Sequence, residues 1–452
     1  MSTPTPTRTR WLIIGLLYCT YVLMFIDRIN ISIAAKYIMP EYGLSEVQFG
    51  WIFSAFVFGY AVSQIPGGWL GDRFGPRGVM AVAILWWSFF TAVTALAGEL
   101  FLASFIGIVG SFLVVRVLIG IGEAVAPPNG NRVIANWAAA RERGLAVGIT
   151  VSGSSLGGAL TPPFIVWVMV TWGWRAAFYI AGAVGIVLAL VWYWLVRDRP
   201  EQHPWVNAAE REYIAPASAA EDETEDEPGD ESEDESEDES DAAGPALGPI
   251  PWRALLSSPS LWLVTAAYTV LGYIGYIYLS WFYLYLVNVL HFSVESGGLY
   301  GMAPFVAGAI GAPFGGWLTD RLSQRFGKRV GRCGVGFVSL LLTAGLIAIG
   351  ASVTNPYLAV LFLALGAGTL FLGVAAYFAT TIDLAKTYAG TLGGFMNMGG
   401  NLGGTLSPTL TPLLAQHYGW DSALYMAAGL AAVASLFWLG VHPQRPIRLE
   451  AT

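Results

Sequence analysis

Apolar positions in this chain come in long unbroken runs rather than in the alternation of a strand. From Trp11 to Ile26, sixteen uncharged and mostly apolar residues follow one another. Such runs, about 20 residues each, recur along the sequence, and a helix of that length rising about 1.5 Å per residue crosses a hydrocarbon core about 30 Å thick. Twelve are placed near 11–37, 46–70, 77–98, 101–127, 144–170, 174–196, 258–289, 297–319, 333–352, 356–382, 388–415 and 420–440. Barrel strands would be half as long and would alternate. The pattern predicts an all-α protein of the lipid bilayer.

Composition agrees, with 55% hydrophobic residues and only 12% charged. The polar opening "MSTPTPTRTR" leads to no small-residue cleavage site, so the first span reads as a retained anchor. Cys19 and Cys333 form no framework, and His203, His291, His417 and His442 lack ligand spacing, so no metal site is expected. No GxxxxGK[ST] loop is present. Nothing points to an enzyme, a bound cofactor or a nucleic-acid partner, and any driving force must come from an ion gradient.

The net charge of −8 is local in origin. The run "EDETEDEPGDESEDESEDESD" at 221–241 holds 15 acids and no base, which leaves the rest of the chain at 23 − 16 = +7. This run reads as a disordered, solvating linker. With the N-terminus inside, 19 of the 23 basic residues fall on the cytoplasmic side, among them Arg8, Arg73, Arg77, Arg141, Arg143 and the cluster Arg321–Arg332. The positive-inside bias thus places both termini and the acidic loop in the cytoplasm of a cell (inner or plasma) membrane protein.

An internal repeat sharpens the architecture. "GGWLGDR" at 67–73 recurs as "GGWLTDR" at 315–321, "SLGGALTP" at 155–162 as "NLGGTLSP" at 401–408, and "GWRAAFY" from Gly173 as "GWDSALY" from Gly419. The repeated loops are basic on one side, so each half holds an even number of spans in parallel relation. The expected layout is a disordered 1–10, a six-helix bundle over 11–197, a cytoplasmic loop over 198–256, a second bundle over 257–441 and a tail over 442–452. Two such bundles about a central site are the plan of a rocking transporter.

Charges inside spans mark where such a site lies, because a charge at the bilayer centre is costly and seeks a partner or a polar interior. Span one carries Asp27 and Arg28 side by side, and span four carries Arg116 and Glu123 two turns apart on one face. Two readings are open. The four charges either lock two helices structurally, or the arginines attract an anion while Asp27 and Glu123 carry a coupling proton. Tyr60 and Gln64 on span two, Ser154 on span five, Tyr276, Ser280 and Tyr283 on span seven, and Asn397 and Asn401 on span eleven are candidates to hydrogen-bond substrate hydroxyls. Each is also ordinary interhelical glue.

The loop "GGWLGDRFGPRG" resembles the signature of the major facilitator superfamily between its second and third helices, which implies gating roles for Asp72, Arg73 and Arg77, with Asp320 and Arg321 in the second copy. "FIDRINIS", "VRVLIGIGEA", "YAVSQIPGGWLGDR", "SGSSLGGALTPP", "PWRALLSSPSLW" and "MNMGGNLGGTLSP" together resemble the anion:cation symporter family, which includes bacterial sugar-acid carriers and the vesicular glutamate carriers. The resemblance implies proton coupling through Asp27 and Glu123 and a substrate carboxylate at Arg28, with Arg116 matching the arginine before the glutamate. The glutamate carriers' additional arginine has no counterpart in span seven here, which favours a hydroxylated monocarboxylate. The expected activity is symport of an organic anion with H⁺ rather than Na⁺ by a monomer. The competing readings are a proton-coupled antiporter of the same fold and a non-transporting membrane sensor.

Overall fold

The computed structural model describes residues 5–139, 142–214, 252–384, 389–445 and 447; the acidic run 221–241 and Arg141 lie outside them. The described residues form helices and connecting turns only. In the first half these are α1 (Thr9–Tyr42), α2 (Glu46–Phe74), α3 (Pro76–Thr94), α4 (Phe101–Glu123), α5 (Ala126–Trp137), α6 (Arg143–Trp172) and α7 (Trp174–Leu195). Two short helices follow, α8 (Ala208–Ile214) and α9 (Trp252–Leu256). The second half holds α10 (Pro259–Ser280), α11 (Phe282–Leu284), α12 (Val294–Gly301), α13 (Ala303–Phe326), α14 (Val335–Ser352), α15 (Pro356–Leu372), α16 (Val374–Leu384), α17 (Ala389–Tyr418) and α18 (Trp420–Phe437).

Among the described residues, ten helical segments are long and apolar enough to cross a membrane by length and composition. The remaining two expected spans are α13 and α17, 24 and 30 residues long, whose glycines and polar residues dilute their hydropathy without shortening them. Span four extends past the expected end near 127. A turn at Ala124–Val125 restarts the helix as α5, and Pro127 and Pro128 sit at its opening, where a missing N–H leaves no bond unmade. Asn129, buried, secures this turn by donating from Nδ2 to the carbonyls of Gly67 and Val125 at 2.9 and 2.8 Å.

Each half pairs its helices in the same way, α1 with α6, α2 with α4 and α3 with α7, then α10 with α17, α13 with α15 and α14 with α18. Bare glycine faces permit the approach. Gly120 of α4 lies against the Phe56 carbonyl of α2, and Gly311 of α13 against the Gly368 carbonyl of α15. The repeat is visible in the backbone too. Gly173 and Gly419 turn the chain at φ 84° and 85°, as Gly75 and Gly327 do at 82° and 86°. These are positive values that a side chain would strain.

The two halves meet at the face opposite the basic loops. Ser32 Oγ of α1 donates to the Ser280 carbonyl at 2.6 Å, Lys36 Nζ to Asn288 Oδ1 at 3.1 Å, and Ser54 Oγ of α2 to the Thr405 carbonyl at 2.6 Å. Among the described residues every hydrogen bond between the halves lies there. Beneath this seal Trp281, fully buried, sets its ring edge-on to Phe53 at 5.3 Å and donates from Nε1 to the Pro408 carbonyl at 3.0 Å. Trp281 also interrupts span seven, which continues as α11 and a π-helical turn over Tyr285–Val289.

On the basic face, Thr7 and Arg10, which fall within the 1–10 stretch, are tied to α8 and to Glu142 at the start of α6. Glu210 of α8 is buried, and its carboxylate accepts from Thr7 Oγ1 at 2.5 Å and from Arg10 Nη1 at 2.9 Å, while Arg10 Nε donates to Glu142 at 2.9 Å. A buried carboxylate needs such partners, and the first turn of α1 supplies them.

Candidate functional site

A cavity of about 370 Å³ lies between the halves, lined by α1, α2 and α6 on one side and α10, α13, α15, α16 and α17 on the other. Among the described residues, Arg28 is the one charged side chain in its wall. Tyr60, Ser154, Ser155, Tyr276, Asn397 and Asn401 contribute polar groups, and Phe25, Phe305 and Phe371 contribute apolar ones. Val151, Tyr268, Val374 and Asn397 carry the lining towards the basic face, whereas the opposite end is sealed by the contacts around Trp281. The lining thus runs from the Trp281 end towards the basic loops.

The four charges expected to partner one another do converge, and one ion pair forms between the two helices. Arg28 Nε of α1 donates to Glu123 Oε2 of α4 at 2.8 Å, although Asp27 is its neighbour in sequence. Consecutive helical residues point about 100° apart, so Arg28 turns into the cavity while Asp27 turns into the first bundle. The Arg28 guanidinium also lies over the Tyr60 ring at 4.6 Å and near Phe56 at 5.3 Å. Its Nη2 is buried with no hydrogen-bond partner, and so is Glu123 Oε1. Glu123 is the last residue of α4, at the turn that starts α5.

Arg116 is 2% exposed and does not line the cavity. Its guanidinium rests over the Phe56 ring at 4.7 Å, with Nε unpartnered. Both arginines thus contact the Phe56 ring. Asp27 is 2% exposed, and both its carboxylate oxygens lack a hydrogen bond. The charges acting on it are Arg28, Arg116 and Glu123.

The structure brings Arg28, Tyr60, Ser154, Tyr276, Asn397 and Asn401 together at the cavity, and leaves Arg116, Gln64 and Ser280 out of its wall. Gln64 is half-buried on α2, rotated about 40° from Tyr60 by four helical residues. Ser280 is buried where α10 stops, its carbonyl occupied by Ser32. Tyr283, past that break, is buried against the first half. Tyr268 is a lining residue that sequence reasoning did not single out. The signal was available, since Tyr268, Gly272 and Tyr276 recur at four-residue spacing on one face of α10.

The repeated loops differ in their pairing. Asp72 bonds Arg132 of α5, and the Arg77 backbone N–H donates to Asp198 Oδ1 at 2.8 Å. Arg73 lies over Trp69 and Phe74, each at 5.6 Å. In the second copy Asp320 bonds Arg332 at 2.7 Å, and Arg332 with Lys328 holds Asp383 of α16. Arg321 is exposed.

The chain matches the family described as Major Facilitator Superfamily over residues 17–408 and 322–452. It is 34% identical to a probable sulfoacetate transporter of Cupriavidus necator, across 96% of this chain and 94% of that one. It is 31% identical to a hexuronate transporter of Bacillus subtilis, across 94% and 92%. Among solved structures it superimposes on a bacterial homologue of the human lysosomal transporter Spinster with a TM-score of 0.75 at 18% identity, covering 96% and 97% of the two chains. That last likeness speaks for the fold.

Proposed function

The chain belongs to the Major Facilitator Superfamily and is a multi-pass membrane transporter, not an enzyme; from that premise we propose that it carries a hydroxylated organic monocarboxylate in symport with protons. The observation that carries this reading is the one cavity cation among the described residues, Arg28, bonded to a buried acid, Glu123. A substrate carboxylate entering the cavity competes with Glu123 for the planar, two-pronged guanidinium. Protonation of Glu123 removes the competing charge and frees Arg28 for the anion. Anion and proton then enter together, and the resting pair re-forms once both have left. The driving force is a proton gradient, and access alternates as the two bundles rock about the cavity.

One cation in the wall suits one anionic group. Hexuronates and sulfoacetate are the anions named for two relatives. A hexuronate offers one carboxylate with several hydroxyls, which Tyr60, Ser154, Tyr276, Asn397 and Asn401 are placed to meet. Sulfoacetate carries two anionic groups, and the second arginine, Arg116, rests on Phe56 outside the cavity wall. The positive-inside bias makes the basic face of this cell membrane protein cytoplasmic, so the cavity lining runs towards the cytoplasm.

The test is uptake of labelled organic acids into vesicles containing the purified protein, under imposed proton or sodium gradients. Accumulation of a hexuronate driven by inward ΔpH and collapsed by a protonophore is the expected result. Accumulation that follows the sodium gradient alone would sink the coupling scheme, and preference for a dianion would sink the substrate class.

A further inference from the structure

Behind the cavity, on the side of α1 facing away from substrate, lies a seam of buried polar groups that the proposed transport cycle does not use. Asn30 of α1 is fully buried, and neither its Oδ1 nor its Nδ2 has a hydrogen-bond partner. It sits one turn beyond Asp27, where i and i+3 side chains are neighbours. On α3, Thr91 is 2% exposed with its hydroxyl unpartnered, and that hydroxyl lies beside the Asp27 carboxylate without completing a bond. One turn nearer the basic face, Ser88 Oγ and Leu23 of α1 both press against Gly185 of α7, where a side chain would collide with them. The register is therefore continuous, with Ser88 level with Leu23 and Thr91 level with Asp27.

Buried hydroxyls and amides are normally paired, because an unpaired one in an apolar interior is destabilising. Here Thr91 lies beside a carboxylate that is itself unpaired, with unpaired Asn30 one turn further along α1 and unpaired Ser88 one turn back along α3. The charged groups acting on that carboxylate are Arg28 on its own helix and Arg116 and Glu123 on α4; α3 contributes no charge. A hydroxyl and a carboxamide share one property that an arginine lacks, since each both donates and accepts. They can donate to Asp27 as a carboxylate and accept from it as a carboxylic acid, with only a rotation of side chains between the two states.

We propose that Thr91 and Asn30 are positioning residues that complete Asp27 as a proton-carrying site, each offering it a partner in both protonation states. This rests on the reading of Asp27 as a coupling acid. The site is distinct from the substrate cavity, whose wall contains neither residue. A proton on Asp27 is thereby held inside the first bundle while the cavity side of α1 handles the anion through Arg28.

The test compares wild type with Thr91→Val, Thr91→Ser and Asn30→Leu in reconstituted vesicles, by two readouts. Counterflow of labelled substrate reports the cavity and needs no net proton movement; ΔpH-driven uptake measured across a range of pH reports the proton site. Thr91→Val, nearly isosteric, is expected to keep counterflow within about threefold while its uptake profile moves by about one pH unit or more, and Thr91→Ser to return the wild-type profile. Asn30→Leu is expected to move the profile likewise. A wild-type profile in Thr91→Val overturns the proposal, and so does an equal loss of counterflow and net uptake, which marks a packing role. Proton-driven uptake that survives Asp27→Asn would instead overturn the underlying reading of Asp27.

Discussion

Arg28 and Glu123 form a 2.8 Å ion pair between α1 and α4, with Glu123 fully buried and the arginine at the cavity wall. The pair joins a group in the cavity wall to one buried behind it. Breaking one partner of a buried pair leaves the other uncompensated, at a cost of about 3–5 kcal/mol. On the proposed reading the pair is both a binding device and a structural constraint, and the two roles separate experimentally.

Arg28→Lys keeps the charge but loses the planar fork that fits a carboxylate, so substrate affinity is expected to fall at least about tenfold while the protein stays folded. Arg28→Ala is expected to abolish binding and to lower thermal stability, because Glu123 is left unpaired. Combining Arg28→Ala with Glu123→Gln should recover much of that stability without recovering binding. Thermal-shift and substrate-binding measurements on the same samples check this, and wild-type affinity in Arg28→Lys would place the carboxylate contact elsewhere.

Trp281 closes the end of the cavity away from the basic face through Phe53 and the Pro408 carbonyl. Trp281→Ala removes the ring and the bond together and is expected to shift the population towards the conformation open on the opposite side. A cysteine placed at Leu279, in a chain whose Cys19 and Cys333 are replaced by serine, should then react several-fold faster with a membrane-impermeant thiol reagent applied from that side. Unchanged labelling would show that the polar contacts at Ser32 and Ser54 suffice for closure.

The spans and the repeat were legible because they rest on local facts, apolar length and recurring loops, and the matched turns at Gly173 and Gly419 bear out the repeat in the backbone. The four intramembrane charges were legible as a set, since few charges interrupt the spans. Their pairing was not. Adjacency in sequence links Arg28 with Asp27, whereas helical geometry turns them about 100° apart on α1, Arg28 to the cavity and Asp27 to the bundle. Asn30 and Thr91 escaped notice because a lone Asn or Thr in a span is ordinary helix glue, and only their burial beside an unpaired carboxylate sets them apart. Ser280 shares a helical face with Tyr276 in sequence, yet α10 stops there and the chain turns away.

Residues 219–243 are expected to be dispensable. Their composition offers no apolar set to pack on the bundles, and deletion leaves 37 − 25 = 12 residues between Ile214 and Trp252. Fully extended, such a linker reaches about 40 Å. Uptake by the deletion variant, normalised to protein in the membrane, should stay within about twofold of wild type, an effect of only about 0.4 kcal/mol. A severe loss would show that the acidic run acts on transport.

The coupling scheme stands or falls on the buried acids. A symporter must empty its proton site on one side of the membrane, and a site fixed in the protonated form lets substrate through but links it to nothing. Glu123→Gln reproduces the shape and hydrogen-bonding capacity of the protonated acid and cannot titrate. It also removes the charge that competes for Arg28, so substrate affinity should hold or rise. Counterflow is therefore expected to persist, while the accumulation ratio under an imposed proton gradient falls to about one, because no gradient energy is coupled to substrate movement. Asp27→Asn should uncouple in the same way with less effect on affinity, since Asp27 faces the bundle interior and not the cavity. Measuring both readouts on the same vesicles distinguishes lost coupling from lost protein. If both variants still accumulate substrate on a proton gradient, the acids serve only to hold α1 and α4 together, and the proton travels by another route.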